Sequence, residues 1–461
     1  MARPAKARAG WLGWLIAMIA CGTPAPPVTR AELVIARVAV IDVVDGRVVA
    51  DRDVEISGGS IARIAPGGTS RGVRVIDGRG KFVVPGYIEM HAHVLLHPWG
   101  ADGRIAATVD RSASLAMLRA LLANGITTVR DPGAETEQAV ALRAELARHA
   151  VSGPRLVIAG RMLEPSDVGV EPFVRVTTQA AVRAEVARQA AAGVDWIKLY
   201  AGMPPDLCAA AIAEAHGRHL RVVGHLGHTS WTDAARLGID TLEHPAPWSA
   251  GYLPEASRDE LPAGLFGRVY WLAHLELGAA PVVELASELV RHHVVVDPTL
   301  IAMHSKLWGD DPRYMRAPAL ALAPQSFVRG WARGSFTADW TAEQYVAARA
   351  QWPKLVAFVR MLFDAGVTLT VGTDTPTPWI VPGVSYHQEL RLLAEAGIPA
   401  SALVRMATIN GARALGLEAE LGTVEVGKRA DLVILGANPL ADAANLAVIE
   451  HVLQAGEEVT R

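Results

Sequence analysis

Apolar and polar positions alternate near both ends of the chain, which is the pattern of strands with one buried face. Near the start, Asp45-Gly46 and Gly58-Gly59 separate the alternating segments, and such pairs are typical of hairpin turns. We expect residues 32–84 and 419–461 to form one small β-sandwich together. The pattern predicts its strands at Leu33–Ile41, Val48–Ser57, Ser60–Ile64, Gly422–Val426, Asp431–Leu435 and His451–Leu453.

Between these ends, short apolar runs alternate with segments of helical period, which indicates a parallel sheet covered by helices. Helical segments include Ser112–Ala123, Thr178–Ala192, Asp206–Arg218, Pro281–His292 and Leu355–Ala365. Eight strand–helix units close a (β/α)₈ barrel, here expected over residues 85–418, with its active site at the C-terminal strand ends. The strand candidates are Phe82–Met90, Thr127–Arg130, Arg155–Ala159, Trp196–Tyr200, Arg221–Gly224, Thr241–Glu243, Val294–Val296 and Thr368–Gly372.

Side chains with metal-binding chemistry directly follow several of these strands. His91 and His93 follow the first strand and, being two residues apart, would point to the same face. His225 and His244 follow the fifth and sixth strands, and Asp374 follows the eighth. Imidazole and carboxylate ligands suit Zn²⁺, and also Mn²⁺ or Co²⁺. We therefore expect a divalent metal site where these side chains meet.

Lys198 lies at the end of the fourth predicted strand. A protonated ammonium group has no lone pair and cannot bind a metal. Reaction with CO₂ would convert the amine into a carbamate, which could bridge two ions. A salt bridge to Asp195, or a place capping the barrel, is the other interpretation, and the residues alone leave the choice open.

Four segments resemble signatures of the amidohydrolase superfamily. Val84–His93, which contains PGYIEMHAH, resembles its opening motif, with Glu89 where the family usually has Asp. Gly125–Asp131 resembles its second strand, Trp196–Tyr200 its lysine strand, and Gly422–Val433 its closing β-sandwich. The resemblance runs from about residue 33 to 440 and is closest to the imidazolonepropionase-like branch, which includes prolidase-like dipeptidases.

The resemblance implies a two-metal site with a carbamylated Lys198 as the bridge. One ion would be held by His91, His93 and Asp374, and the other by His225 and His244. His228 lies close to His225 in the sequence, but His225 directly ends the strand. Two ions sharing a hydroxide would hydrolyse an amide or peptide bond, with Asp374 taking the proton and returning it to the leaving amine. A dipeptide of the Xaa-Pro kind or an N-acyl amino acid is the expected substrate.

Three other functions compete with this one. Lactone or phosphotriester hydrolysis would use the same ligands, so only substrate tests separate it from amide hydrolysis. Deamination is disfavoured because such relatives usually use one metal and lack the bridging lysine. A non-catalytic barrel should have lost at least one ligand, yet all six positions are present.

Further candidate residues lie near strand ends. Tyr200 is two residues after Lys198 and could hydrogen-bond the substrate, or simply cap the barrel. The segment 302–352 is long for one connection and rich in tryptophan, so it could be a lid over an apolar substrate, plain packing or an oligomer contact. Candidates for binding a substrate carboxylate are Arg130, Arg161, His304 and His387.

The first residues predict export from the cytoplasm. Three basic residues among the first eight precede an apolar run from Trp11 to Ala20, an order typical of a signal peptide, here residues 1–31. Met18–Cys21 resembles a lipoprotein cleavage site, which would place a lipid anchor on Cys21; ordinary cleavage between Ala20 and Ala31 is the alternative. The protein would then be periplasmic or extracellular, touching a membrane only through that lipid.

Composition narrows the class of partners. The chain is 51% hydrophobic, which allows a large core, and its net charge is −3 without any basic block, so a nucleic acid partner is not expected. We expect a small-molecule substrate and leave a homo-oligomer open. Cys21 and Cys208 are the only cysteines, so no disulfide framework is expected and Cys208 is predicted to be a small buried helix residue.

Overall fold

The computed structural model describes residues 1–2, 30–98, 105–106, 108–262 and 264–460. The chain divides into two units, Met1–Arg30 and Ala31–Arg461. The predicted leader, including Cys21, lies almost wholly outside the described residues and stays a prediction. Within the described residues, none of the helices has the length and apolarity that crossing a bilayer requires.

The strands of the second unit are numbered in chain order. They are β1 Ala31–Asp42, β2 Arg47–Ser57, β3 Ser60–Pro66, β4 Gly72–Asp77, β5 Phe82–Pro85, β6 Tyr87–Glu89, β7 Ile126–Asp131, β8 Arg155–Ile158, β9 Met162–Glu164, β10 Phe173–Arg175, β11 Trp196–Leu199, β12 Arg221–Gly224, β13 Thr241–Glu243, β14 Val295–Asp297, β15 Thr368–Leu369, β16 Leu432–Leu435, β17 Ile449–Gln454 and β18 Glu457–Glu458.

The α-helices lie mainly between the strands of the central region. The five predicted helices are confirmed, with ends moved by a few residues. Thr178 shows why such ends are predictable, since its hydroxyl accepts a hydrogen bond from Ala181 N and caps the helix that follows. The helices are α1 Arg111–Ala123, α2 Thr136–Ala147, α3 Gln179–Ala192, α4 Pro205–His216, α5 Trp231–Leu237, α6 Glu255–Arg258, α7 Leu265–His274, α8 Ala280–Arg291, α9 Leu300–Leu307, α10 Pro312–Met315, α11 Gln325–Gly334, α12 Ala342–Ala350, α13 Trp352–Asp364, α14 Val384–Glu395, α15 Ala400–Arg405 and α16 Gly411–Leu415.

Strands from both ends of the chain form one mixed eight-stranded sheet. Its order is β18-β17-β16-β5-β1-β2-β3, with β4 beside β1. The two ends meet where β5 pairs antiparallel with β16, for example Val83 opposite Ile434. The predicted strand Gly422–Val426 is wrong, because Gly422 and Gly427 at its borders have φ of 87° and 90°, which an extended ladder does not allow. The short strands β4, β9, β10 and β18 were not predicted.

The predicted first barrel strand, Phe82–Met90, is two strands that belong to different sheets. The chain leaves the terminal sheet at Gly86, whose N–H donates to Asp431 O at 2.7 Å, and Tyr87 N then donates to Gly125 O at 2.9 Å. A side chain at residue 86 would overlap the hydroxyl of Thr127. Gly86 is therefore required by the close approach of two backbones, and not by a positive φ.

Eight parallel strands of the central region are hydrogen-bonded into a closed ring. One sheet joins β6, β7 and β8. A second, seven-stranded sheet has the order β10-β9-β11-β12-β13-β14-β15, and β11 to β15 of it belong to the ring. A bridge between Ala159 and Trp196 links the two sheets, and Met90 N donating to Val371 O at 2.9 Å closes the ring between the last strand and the first. The fold is thus mixed α/β, with parallel strands linked by helices.

The tryptophan-rich segment 302–352 is largely helical and contains most of α9 together with α10, α11 and α12. Trp331 is fully buried, and its indole donates to Pro376 O at 3.1 Å, in the loop that follows Asp374. Trp340 packs edge-on against Phe266 of α7, with ring centroids 5.5 Å apart. The segment therefore packs against the loops at the C-terminal ends of the strands.

We predict that Gly86→Ala lowers the free energy of unfolding in urea by about 1–3 kcal/mol, because the added Cβ has no space against Thr127. Gly278→Ala is the matched control, since Gly278 has ordinary backbone angles and no neighbour within 4 Å of the added Cβ. Equal stability of the two variants would contradict the close approach at Gly86.

Candidate metal centre

His91, His93 and Asp374 converge at the C-terminal ends of β6 and β15. Nε2 of His91 lies 3.3 Å from Nε2 of His93 and 3.5 Å from Oδ1 of Asp374. Nε2 of His93 lies 3.6 Å from the same oxygen. The three side chains are buried, and this group is the one set of three or more such ligands that the described residues bring together. The two expected histidines and the expected aspartate therefore meet.

The distances within this triad fit one bound ion. Ligand bonds of roughly 2.0–2.1 Å in a tetrahedral arrangement place the ligand atoms about 3.4 Å apart. The three observed separations, 3.3, 3.5 and 3.6 Å, lie close to that value. Two imidazole nitrogens and a carboxylate oxygen are also a donor set that suits zinc and similar divalent ions.

The backbone at two of the strand ends is held in an unfavourable conformation. His244 has a φ of 75° and Asp374 a φ of 64°, both in the left-handed region that side chains other than glycine rarely adopt. Asp374 N donates to His91 O at 2.7 Å and fixes this turn. Residues held in such regions cost of order 1–3 kcal/mol each and cluster at functional sites, which agrees with a role for these two side chains.

Three histidines are fixed from behind through Nδ1. His91 Nδ1 lies 2.5 Å from Glu243 Oε2, and His93 Nδ1 lies 3.1 Å from Gly133 O. His244 Nδ1 lies 2.9 Å from Thr299 Oγ1. A partner on one ring nitrogen sets the orientation and leaves the other nitrogen for a metal. His91, His93 and His244 therefore present Nε2 to the centre of the site.

His225 and His244 form a second pair beside the triad. Nδ1 of His225 lies 2.8 Å from Nε2 of His244, and the rings of His91 and His244 are 5.2 Å apart. Burial, and after it the surrounding positive charges, holds the pKa of both His225 and His244 well below its usual value. Both rings are therefore neutral at physiological pH, as metal ligands must be. His228 is exposed, whereas His225 lies beside His244, so His225 stays the predicted ligand.

Lys198 is buried within this group of side chains and has no carboxylate partner among the described residues. Asp195 does not bind it, because Asp195 Oδ2 accepts hydrogen bonds from Arg143 at 2.6 Å and from Ile158 N at 2.9 Å. Burial lowers the pKa of Lys198 to about 8. The positive charge of Lys198 acts to lower the pKa of each of the four histidines, so it lies close to all of them. The salt bridge left open at the sequence level is thus absent.

A buried ion pair lies beneath the metal ligands and involves Arg130, which was expected to bind substrate. Its guanidinium is fully buried and donates to Met90 O at 2.7 Å, to Thr241 Oγ1 at 2.9 Å and to Glu243 Oε1 at 2.5 Å. With all three nitrogens engaged, Arg130 cannot reach a substrate. Burial alone would raise the pKa of Glu243. The positive charge of Arg130 and the contact with His91 outweigh burial and hold this pKa well below its usual value. Glu243 was missed, although an acidic residue at the end of a predicted barrel strand, directly before His244, was a usable signal.

The other candidate substrate residues contact groups outside the set of candidate ligands. Arg161 is ion-paired with Glu171 at 2.8 Å. His304 stacks on Trp308 with centroids 4.0 Å apart, and burial lowers its pKa to about 4. His387 contacts Asn124 O, which precedes β7, so it lies at the N-terminal ends of the strands, opposite the ligands. Arg161 and His304 thus have partners of their own among the described residues, and His387 lies on the side opposite the candidate ligands.

Tyr200 and two unpredicted cations do face the site. The Tyr200 ring lies 4.7 Å from that of His225, and burial raises its pKa to about 12, so its hydroxyl keeps its proton. Arg268 of α7 donates from Nη2 to His225 Nε2 at 3.2 Å. Lys306 of α9 lies with Nζ 3.7 Å from Asp374 Oδ2. No sequence signal marked the two cations, because they stand on helices that only the tertiary packing brings to the strand ends.

A family model described as Amidohydrolase family matches residues 82–459. The match covers most of the chain, which therefore belongs to the amidohydrolase family. Among solved structures, a candidate prolidase from Bifidobacterium longum aligns with a TM-score of 0.69 and 26% identity, covering 93% of this chain and 94% of that one. The resemblance to the prolidase-like branch noted in the sequence is thus confirmed.

Curated relatives match shorter segments. A 5-methylthioadenosine/S-adenosylhomocysteine deaminase from Moorella thermoacetica is 39% identical over 95 residues, 17% of this chain and 20% of that protein. An imidazolonepropionase from Symbiobacterium thermophilum is 39% identical over 80 residues, 17% of this chain and 19% of that protein. The chain thus spans about a fifth of the length of the curated relatives it matches.

We predict that Glu243→Gln lowers the free energy of unfolding by about 3–5 kcal/mol, because it leaves Arg130 buried without a counter-charge. Metal affinity should also fall about 10- to 100-fold, since His91 loses the carboxylate behind it. Urea unfolding and competition with a chromophoric chelator measure the two effects. Glu284→Gln, which removes an exposed carboxylate paired with Arg236, is the control. Unchanged affinity would show that Glu243 does not orient His91.

Proposed function

We propose that this amidohydrolase cleaves an amide or peptide bond of a small substrate, such as a dipeptide or an N-acyl amino acid. The observation that carries the proposal is the convergence of His91, His93 and Asp374 at metal-ligand distances, with His225 and His244 beside them. In this proposal the ring of strands serves as a (β/α)₈ barrel, and the terminal sheet as the family's β-sandwich. The ligands are those that two divalent ions, most simply Zn²⁺, would use.

Bound divalent ions would supply an activated water and polarise the scissile carbonyl. The protein's own part begins with Asp374. Its Oδ1 faces His91 and His93, whereas Oδ2 points away toward Lys306. Oδ2 is therefore the atom that can hold the proton taken from water and pass it to the leaving amine, a transfer that requires hydrogen-bond reach.

Lys198 supplies the bridging ligand of this proposal. Its ammonium group would first lose a proton to solvent; the neutral Nζ would then attack CO₂, forming an N–C bond as one C–O π bond breaks, and release a second proton, which leaves a carbamate of charge −1. Support comes from its buried position among four histidines, with no carboxylate partner in the described part of the chain. A buried lysine without a counter-ion is costly, and conversion to an anion between cations removes that cost.

Tyr200 is assigned to the substrate carbonyl. It lies half-buried beside His225 and keeps its proton, so its hydroxyl is a hydrogen-bond donor at neutral pH. A donor aimed at the oxygen where charge develops stabilises the transition state of amide hydrolysis. Its place next to a proposed ligand favours this role over capping of the barrel.

Two other reactions remain to be compared with amide hydrolysis. Deamination is the second candidate, because curated relatives that match part of the chain are deaminases. The buried Lys198 among four histidines argues for a bridged two-metal site and so against a one-metal deaminase. Hydrolysis of lactones or phosphotriesters would use the same ligands and is separated by assay alone.

The decisive assay is amino-acid release by the zinc-loaded protein in bicarbonate, over a panel of Xaa-Pro and other dipeptides and N-acyl amino acids. We predict that Asp374→Asn lowers kcat/KM by about 10²- to 10⁴-fold, as expected for loss of the proton-transferring group. Lys198→Ala should reduce the metal content per chain, measured by mass spectrometry, together with activity.

Lys354→Ala is the matched control for Lys198→Ala, since Lys354 lies on the outer helix α13 and donates to Ala273 O. It should leave metal content and activity unchanged. If no panel member is cleaved while the metals remain bound, amide hydrolysis is refuted, and adenosine derivatives, lactones and phosphotriesters are tested next. If Lys198→Ala keeps its full metal content, the bridging role is refuted.

A further inference from the structure

Arg268 and Lys306 are two cations that the proposed metal site does not use. They stand on α7 and α9, in the connections that follow β13 and β14, and both point toward the ligands. Arg268 Nη2 lies 3.2 Å from His225 Nε2, and Lys306 Nζ lies 3.7 Å from Asp374 Oδ2. The Lys306 side chain is only 11% exposed. Two positive groups thus border the centre from two different helices.

Neither cation has a counter-ion of its own. Among the described residues, Arg268 forms no ion pair, and the single partner of Lys306 is Asp374, which the proposed function assigns to a metal ion. Arg130 is different, because Glu243 compensates its charge within the core. Burying an unpaired charge is costly unless the molecule gains from it. The uncompensated pair therefore calls for an anion that the protein does not supply.

The contact between Arg268 and His225 leads to the same requirement. A guanidinium can only donate, so His225 Nε2 accepts in the metal-free protein. If Nδ1, which faces His244, gives its lone pair to a metal, the ring proton must sit on Nε2. Two donors would then face each other. An acceptor oxygen from another molecule would satisfy both.

Aromatic rings frame the two cations. The Arg268 guanidinium lies over Trp248, 5.1 Å from the ring centroid, and Lys306 Nζ lies 5.3 Å from that of Phe336. Such contacts hold a cation without neutralising its charge. The surroundings therefore suit a ligand with an anionic group next to an apolar one.

We propose that Arg268 and Lys306 bind a carboxylate of the substrate beside the bond that is cut. The inference rests on the proposed hydrolysis and names its substrate class: free acids such as dipeptides or N-acyl amino acids, preferably with apolar side chains. Neutral lactones and phosphotriesters offer no such group. The two residues are specificity residues; the sequence predicted two other arginines and two histidines for this role.

The test compares the best substrate of the panel with the same molecule carrying a C-terminal carboxamide. We expect wild-type kcat/KM to favour the free acid by about 10- to 100-fold, the worth of hydrogen bonds to a charged group. Arg268→Gln and Lys306→Met should each reduce that preference by a similar factor, measured as the ratio of kcat/KM for the free acid to kcat/KM for the carboxamide. Arg268→Lys keeps the charge and should retain part of the preference if Arg268→Gln folds poorly.

A binding measurement keeps this inference separate from the proposed function. Calorimetry compares N-acetyl-L-leucine with N-acetyl-L-leucinamide on metal-loaded and metal-free protein. The wild type should bind the acid more tightly than the amide, and Arg268→Gln and Lys306→Met should each lose this difference. Arg291→Gln, which removes an exposed charge on α8, is the control and should bind as wild type. If neither substrate is cleaved, the proposed hydrolysis is refuted, and the calorimetry still shows whether Arg268 and Lys306 bind a carboxylate. Equal affinity of the wild type for acid and amide would refute the carboxylate site. So would an unchanged preference for the acid in Arg268→Gln and Lys306→Met.

Discussion

The buried ion pair between Arg130 and Glu243 is the interaction on which the site depends. Arg130 comes from β7 and Glu243 from β13, so the pair crosses the interior of the ring and also holds Met90 O at the end of β6. Glu243 uses its second oxygen to hold His91. Because a buried charge is tolerated only when it is paired, this contact fixes three strands and one metal ligand at once.

Burial then decides the chemical state of the groups above this pair. The histidines of the second pair are kept neutral because a charged ring would lose its hydration, and Tyr200 keeps its proton for the same reason. The core that makes the ring stable also prepares ligands and donors in the forms that metal binding and carbonyl recognition require. Stability and chemistry have one cause here, which is exclusion of water from the C-terminal strand ends.

The sequence was informative wherever the signal is local. Alternating strands and helices, and ligands placed directly after strands, predicted the positions of His91, His93 and Asp374 because the ends of parallel strands meet. It was uninformative wherever the outcome depends on distant partners. Arg130 was expected at the substrate, since its pairing with Glu243, more than a hundred positions away, is a tertiary event. The division of one apolar run at Gly86 follows likewise from the neighbouring Thr127.

The pairing of β5 with β16 has a consequence for how the chain is made. During synthesis from the N-terminus, β1 to β5 emerge before the ring, but β5 keeps an open edge until β16, which follows the ring in the sequence, leaves the ribosome. Unpaired strand edges recruit other chains, so this interval is the time of greatest risk of aggregation. Contacts between segments so far apart also form slowly. The edge of β5 is therefore covered only after the whole ring has been made and β16 pairs with it.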